Sequence, residues 1–211
     1  MSEACRRLHE MAHALDRHSF PFEPDSIPDN GVYLLFEEGE PGHGGARIVR
    51  TGSHRGQGNL VSRLREHFVV ENKDRSIFRK NIGRALLHRE DDPFLEDWNL
   101  DLTPRAARER HGDRIDFEKQ DEVEGQVSHT IHERFTFATL RAKNPSLRKD
   151  IERGLIATIS LCRECGPSDG WLGIFSPVNK IRQSGLWQTQ HLWKEDELLT
   201  AADVERLNRN V

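Results

Sequence analysis

The 211-residue chain contains 35% hydrophobic and 31% charged residues and has a formal net charge of −4 at pH 7. Its length fits one domain, or one domain with sizeable insertions. No apolar stretch approaches the roughly 20 residues of a membrane-spanning helix. Charged residues occupy the N-terminus where a signal peptide has an apolar centre, so we expect no export signal and no membrane association. Three cysteines, an odd number, argue against a disulfide framework and fit a reducing cytoplasm.

Hydrophobic spacing in the first part of the chain predicts a helix, a hairpin and a second helix. Residues 2–17 have helical spacing, and the Pro-rich loop FPFEPDSIPDNG then leads into a strand at 31–38. A Gly-rich turn and RIVRTG (47–52) complete an antiparallel hairpin. After the loop GSHRGQGN, Asn59 is placed to cap a helix over 60–68.

The rest of the chain is predicted to be helical around one further strand. A helix is expected over 75–88, and the acidic stretch from 89 to about 125 has little periodicity, apart from a short charged helix that Pro104 starts. HTIHERFTFATL (129–140) alternates and predicts a third strand. The strongest helix signal lies over 145–161, where Asn144 supplies the cap and apolar residues repeat every four positions.

These elements predict an α/β (α+β) fold with a small, mainly antiparallel, three-stranded sheet flanked by helices. We divide the chain into an N-terminal helix with a Pro-rich entry loop (1–28), a central domain (29–193) and a C-terminal helix (194–211). The acidic stretch at about 89–125 is treated as an insertion or a mobile excursion within the central domain.

Charge is distributed unevenly along the chain, which the small net value conceals. Residues 46–90 contain eleven Arg and Lys against four acidic residues, a balance of +7. Residues 91–124 contain twelve acidic against five basic residues, a balance of −7. The pattern indicates either an anion-binding surface on the first half or two solvated faces of opposite sign that pair with each other.

Cys162 and Cys165 form the short sequence CREC directly after the helix predicted over 145–161. The spacing is typical of metal sites, but the sequence has no second Cys pair. We therefore favour buried or half-exposed thiols near a helix end, and a His partner that would complete a zinc site remains an open alternative.

Four short motifs follow one another in a distinctive order along the chain. GVY (31–33) lies on the first strand, VRTG (49–52) on the second, SRLREH (62–67) on the following helix and IERGLI (151–156) on a later helix. This order resembles the GIY-YIG nuclease superfamily, in which a Gly-Ile/Val-Tyr motif precedes Tyr-Ile/Val-Gly, then a helix with an Arg-Leu pair, and later a helical Glu. The resemblance is closest over 31–68.

The resemblance implies roles for three residues. Tyr33, the only tyrosine of the chain, matches the tyrosine of the first motif and would take the proton of the attacking water. Arg63 matches the catalytic arginine, whose fork pairs with two phosphate oxygens. Glu152 matches the metal-binding carboxylate and would hold one Mg²⁺ or Mn²⁺. From the residues alone, a core aromatic, a solvated arginine and a salt-bridged glutamate are the favoured interpretations.

Two further residues complete the predicted catalytic set. Arg50 stands where the family has its second tyrosine, so it either neutralises charge on the scissile phosphate or marks a site that binds nucleic acid without cutting it. His67 lies four residues after Arg63 and therefore shares its helix face, at the margin of the apolar stripe.

A second group of residues is predicted to contact the nucleic acid rather than to catalyse. Arg79 and Lys80 are interpreted as contacts to the DNA backbone, and His54 could also assist as a base. The predicted nucleic-acid-binding residues are His54, Arg55, Arg65, Arg79 and Lys80.

The predicted function is a metal-dependent endonuclease that hydrolyses DNA phosphodiester bonds, with duplex DNA as partner. A homodimer is an open expectation, because nucleases that cut both strands often dimerise. Two alternatives stay open: a catalytically inactive nucleic-acid-binding module of the same fold, and a soluble protein-interaction domain whose basic and acidic halves bind partner proteins.

Overall fold

The computed structural model describes residues 2–209, in which a four-stranded antiparallel sheet is covered by helices on both faces. The strands are β1 (His18–Ser19), β2 (Gly31–Gly42), β3 (Gly45–Ser53) and β4 (Phe135–Arg141). The helices are α1 (Ser2–His13), α2 (Leu60–Phe68), α3 (Ile77–Arg89), α4 (Leu95–Trp98), α5 (Arg105–His111), α6 (Phe117–Arg134), α7 (Pro145–Ser160), α8 (Asn179–Ser184) and α9 (Ala201–Arg209). Residues 1, 210 and 211, which belong to the predicted terminal segments, lie outside the described residues.

The sheet has the order β1-β4-β2-β3, and every neighbouring pair is antiparallel. The predicted fold class and the predicted hairpin are therefore confirmed. Within residues 2–209 the sheet has four strands rather than three, because His18–Ser19 pairs with Phe137 and Thr136 of β4. A two-residue strand is too short to show any alternation in the sequence.

The predicted strand over 129–140 is wrong in its first half, since residues 129–134 are the last turns of α6 and β4 begins at Phe135. Val123, Val127 and Ile131 are buried and recur every four residues along α6, which is helical spacing. Val123, the first of these residues, lies in the acidic stretch that we treat as an insertion. The helical repeat therefore begins before residue 129, and the alternation within 129–140 alone wrongly indicates a strand.

Of the two asparagine caps predicted from the sequence, one is present in the structure. The Asn144 side chain accepts hydrogen bonds from the backbone N–H groups of Ser146 and Leu147, at 2.8 and 3.3 Å, and so caps α7 as predicted. Asn59 does not cap α2 through its side chain, which instead donates to the Arg55 carbonyl at 2.8 Å. Asn59 thereby stabilises the Gly-rich loop before α2.

Alternate side chains of β2 enter two separate cores. Tyr33 and Leu35 pack with α2, α3 and α6, whereas Val32, Leu34 and Phe36 pack with α1 and α7. Because both faces are buried, β2 has a nearly continuous apolar sequence. Among the described residues, no helix combines the length and the apolarity that crossing a bilayer requires.

Two residues predicted to contact DNA are part of the interior instead. The guanidinium of Arg79 is fully buried and donates to Glu124 Oε2 from Nε at 2.9 Å and from a terminal nitrogen at 2.7 Å. Lys80 is 7% exposed and its ammonium donates to Asp74 Oδ1 at 3.1 Å. Their charges are already neutralised inside the protein, so the predicted backbone contacts are not open to them.

We expect Glu124→Ala to lower the free energy of unfolding by about 3–5 kcal/mol, because it leaves the buried Arg79 charge unpaired. Urea denaturation followed by circular dichroism measures this change. Glu109→Ala is the matched control, since Glu109 pairs with Arg105 on the surface of α5 and an exposed i,i+4 pair contributes only about 0.3–0.5 kcal/mol. Equal losses in the two variants would contradict the prediction.

Candidate active site

Tyr33 and Gly52 are cross-strand partners in the hairpin of β2 and β3. The Tyr33 ring lies over Gly52, and a Cβ atom added there would be 2.2 Å from the phenolic oxygen. No side chain fits in that space, so the glycine of the second motif is required by the tyrosine of the first.

The Tyr33 hydroxyl belongs to a buried hydrogen-bonded chain. It lies 2.7 Å from His67 Nε2, and His67 Nδ1 lies 2.7 Å from Ser76 Oγ, which also caps α3 by accepting from the Arg79 N–H at 3.2 Å. Burial first, and then the charges of Arg63, Arg50 and Arg79, hold the pKa of His67 well below its usual value. His67 is therefore a neutral imidazole, and it lies on the buried face of α2 with Leu60, Leu64 and Phe68 rather than at the margin of the apolar stripe.

Arg63 connects this buried chain to the protein surface. Its guanidinium donates to Glu66 Oε2 at 2.7 Å and to the Arg75 carbonyl at 3.1 Å. Burial acts to lower the pKa of Arg63, but Tyr33 and Glu66 outweigh it and the net shift is upward. The phenol of Tyr33 and the guanidinium of Arg63 are thus electrostatic neighbours.

An irregularity in β3 directs Arg50 towards the same region. Arg50 pairs with Leu35, but the next pair joins Phe36 to Ile48, so Val49 is an extra residue. An extra residue of this kind is a β-bulge, which changes the direction of neighbouring side chains. Here the Arg50 guanidinium lies 5.7 Å from the Phe78 ring centroid. It donates to the Trp187 carbonyl. Arg50 therefore lies on the side of the sheet where Tyr33 lies.

Glu152 reaches the end of β3 from α7. Its Oε2 accepts a hydrogen bond from Ser53 Oγ at 2.5 Å, across 99 residues of sequence. The side chain is half-buried. Within residues 2–209 the Glu152 carboxylate has no ion-pair partner, which is unusual for an acidic side chain among bases.

A cleft of about 540 Å³ is lined by residues from β3, α2 and α7. Glu152 is the one carboxylate among its lining residues in the described chain. Six basic residues surround it: Arg50, Arg55, Arg63, Arg148, Lys149 and Arg153. Such an excess of positive charge in a concave site attracts a polyanion.

Several donors in this cleft have no hydrogen-bond partner within residues 2–209. Gln188 Oε1 accepts from the Thr51 N–H at 3.1 Å, which leaves the buried Nε2 group of Gln188 unpaired. His54 Nε2 lies 3.3 Å from the Gly31 nitrogen and accepts from its N–H, and burial first, and then the charge of Arg148, lower the pKa of His54. The Nε atoms of Arg50 and Arg148 are also unpaired. Unpaired buried donors are costly in a folded protein, and here they suit an anionic ligand.

The structure brings most of the predicted site residues together. Arg50, His54, Arg55, Arg63 and Glu152 line the cleft, and Tyr33 with His67 lies directly behind Arg63. Arg65 is exposed on another face of α2. Arg79 and Lys80 are buried in ion pairs, as described above.

Sequence reasoning missed three basic residues of the cleft, Arg148, Lys149 and Arg153, and also Gln188. The three basic residues lie beside Glu152 on α7, and Arg148 is four positions away, a spacing that places two side chains on one helix face. That spacing was a usable signal. Gln188 lies in an irregular segment whose neighbours in the fold could not be read from its composition.

The fold and the basic cleft are those of an α/β domain with a site suited to a polyanion. A family model for the GIY-YIG domain matches residues 6–211, and the chain therefore belongs to the GIY-YIG domain family. Members of this superfamily are typically endonucleases, which implies a nucleic-acid substrate. Neither the curated proteins nor the solved structures gave a match to this chain.

Proposed function

We propose that the protein is a metal-dependent endonuclease that hydrolyses phosphodiester bonds of duplex DNA. The observation that supports this function best is the cleft itself, where six basic residues surround the carboxylate of Glu152. A duplex backbone supplies the closely spaced negative charges that such a surface binds. The homodimer expected from the sequence stays a prediction.

Glu152 suits Mg²⁺ or Mn²⁺. Mg²⁺ is usually held by one or two carboxylates together with substrate phosphates and water, so one carboxylate is enough. GIY-YIG nucleases generally depend on divalent metals. When bound, such an ion polarises the scissile phosphate as a Lewis acid. Ser53 would orient the carboxylate through its hydrogen bond to Oε2.

The cleft residues would act on the substrate as charge stabilisers and donors. Arg63 and Arg50 neutralise the charge that develops on the phosphoryl oxygens, since preorganised cations act most strongly in a site with little water. Gln188 Nε2, which has no hydrogen-bond partner within residues 2–209, would donate to a further phosphate oxygen. Arg50, Arg63 and Gln188 all line the cleft.

Tyr33 would take the proton of the attacking water, and His67 would position the phenol. The phenol lies beside Arg63 and its oxygen is 2.7 Å from His67 Nε2. Burial and the charges of Arg63, Arg50 and Arg79 disfavour a protonated His67, so the neutral imidazole would hold the ring oxygen in place while Tyr33, as a phenolate paired with the Arg63 cation, accepts the proton. Ser76 fixes the orientation of the imidazole through Nδ1.

A plasmid-nicking assay tests the proposal. We expect the purified protein to relax supercoiled plasmid in Mg²⁺ or Mn²⁺ and to lose this activity when a chelator removes the metal. A wild-type protein that cuts neither plasmid nor linear duplex in either metal would overturn the enzymatic function.

One observation favours a second function, a module that binds nucleic acid and does not cut it. Arg50 replaces the second phenol of the family pattern, and the remaining phenol, Tyr33, is only 1% exposed. The basic cleft would still bind a phosphate backbone. Salt-dependent DNA binding without any nicking would support this alternative.

We expect Arg55→Gln to weaken duplex binding and to reduce the slope of log K against log salt by about 1, as the loss of one phosphate contact does. Arg55 is exposed and lines the cleft. Fluorescence anisotropy at several salt concentrations measures the slope. Arg105→Gln is the matched control, because Arg105 is exposed on α5 and pairs with Glu109. Identical slopes in both variants would show that the cleft is not the DNA-binding surface.

A further inference from the structure

Thiols and imidazoles from three separate segments meet at the turn end of the hairpin. Cys5 and His9 come from α1, His43 from the turn between β2 and β3, and Cys162 and Cys165 from the loop after α7. The sulfurs of Cys5 and Cys165 are 3.5 Å apart, and Cys162 Sγ is 3.4 Å from His43 Nε2. The ligand atoms of Cys5, His9, His43 and Cys165 all lie within 4.8 Å of one another.

We propose that this cluster binds a structural Zn²⁺ ion through Cys5, His43, Cys162 and Cys165. Three cysteines and one histidine form a common structural zinc set, and CREC supplies its C-x₂-C pair. In a tetrahedral site with Zn–S bonds of about 2.3 Å, two sulfurs lie about 3.8 Å apart. The observed spacing of 3.5 Å between two free cysteines is close to that value.

Cys162 is preferred over His9 as the fourth ligand because both ring nitrogens of His9 are already used. His9 Nε2 accepts from the Ile48 N–H at 3.2 Å, and Nδ1 donates to the Cys5 carbonyl at 2.9 Å. A proton on Nδ1 prevents that atom from binding a metal, although it lies 3.7 Å from Cys5 Sγ. His9 therefore joins α1 to β3.

His43 has one property of a metal ligand besides its distance to the thiols. Its Nδ1 lies 4.0 Å from Glu164 Oε2, and metal-bound imidazoles usually direct their second nitrogen at a carboxylate. Its φ of 49° and the φ of 84° at Gly44 belong to the two-residue hairpin turn between the paired Gly42 and Gly45, which requires positive φ at both central residues. The turn brings the His43 side chain to the thiols.

The proposed ion would join α1, the hairpin turn and the loop after α7. It is separate from the proposed Mg²⁺ site, because Glu152 lies on α7 ten residues before Cys162, on the order of 15 Å along a helix. The zinc site stands whether or not the protein is a nuclease. Its ligand chemistry, thiolate and imidazole, also differs from the single carboxylate of the cleft.

Cobalt titration of the reduced, metal-free protein tests the site. We expect one Co²⁺ per chain, with the visible bands of a tetrahedral ion, a near-ultraviolet thiolate-to-cobalt band, and displacement by Zn²⁺. Cys162→Ser is expected to remove about a third of the thiolate band, since one of three sulfurs is lost, and to weaken binding at least tenfold. A wild-type protein without a tetrahedral cobalt spectrum would overturn the proposal.

Two variants separate the ligand sets. His9→Gln is expected to keep the full thiolate band. If Cys162→Ser instead has the wild-type cobalt spectrum and His9→Gln loses its cobalt spectrum, the assigned ligands are wrong. Thermal unfolding adds a readout independent of DNA cleavage: Zn²⁺ is expected to raise the Tm of the wild type and of Glu152→Gln equally. No shift in either protein would contradict a structural role.

Discussion

Tyr33→Phe is expected to lower the rate of plasmid nicking by about 10²–10⁴-fold, which is the contribution of a positioned acid–base group. The substitution removes the hydroxyl that contacts His67 and keeps the ring that packs over Gly52. DNA binding is expected to be unchanged, because Arg63 and the other cleft cations remain. Single-turnover nicking rates and anisotropy measured on the same preparation test both statements.

Thr139→Val is the matched control for this variant. Thr139 lies directly opposite Tyr33 on β4, so the control also removes one hydroxyl from the sheet beside the site. We expect it to cut at the wild-type rate. A Tyr33→Phe protein that is folded and equally active would show that the phenol has no part in the chemistry and would leave proton transfer to another group.

Glu152→Gln is expected to lower nicking by about 10²–10³-fold, because loss of a metal ligand removes several kcal/mol of transition-state stabilisation. Gln keeps the size of the side chain and an oxygen that can accept from Ser53. Binding to DNA is expected to stay the same or to tighten slightly, since the cleft loses its one carboxylate among six bases. Nicking across a Mg²⁺ series and binding in the absence of metal separate these effects.

Asp150→Asn is the matched control for Glu152→Gln, because it removes one negative charge from the same helix, α7. Asp150 is exposed and lies outside the residues that line the cleft, so we expect wild-type activity and a wild-type dependence on Mg²⁺. If Glu152→Gln and Asp150→Asn behave alike, Glu152 does not hold the catalytic metal, and the non-catalytic binding function becomes the better account.

The uneven charge of the chain has two outcomes in the fold. Part of the basic segment pairs with the acidic segment inside the protein, as Arg79 does with Glu124. Another part, Arg50, Arg55 and Arg63, lines the cleft. Pairing between the two segments therefore occurs, although in the interior rather than between solvated faces, and the anion-binding surface stays a prediction. Counting charges could not assign a given arginine to one of these roles.

The elements that depend on local spacing could be predicted from the sequence. The hairpin, α2, α3 and α7 follow from alternation, fourfold repeats and the Asn144 cap, because each signal lies within a few residues of the structure that it forms. The order of the motifs also indicated the family, which the match over residues 6–211 then showed. The pairing of Tyr33 with Gly52 explains why both motifs belong to one hairpin.

Contacts between distant segments were decided by the tertiary structure alone. Packing of α7 against β3 brings Glu152 to Ser53, and it places Arg148 and Gln188 in the same cleft. Packing also encloses Arg79 and gathers Cys5, His43 and Cys165 at one end of the hairpin. A sequence pattern reports which face of an element is buried, but the partner of a buried or charged side chain depends on how whole elements pack, and that information is not local.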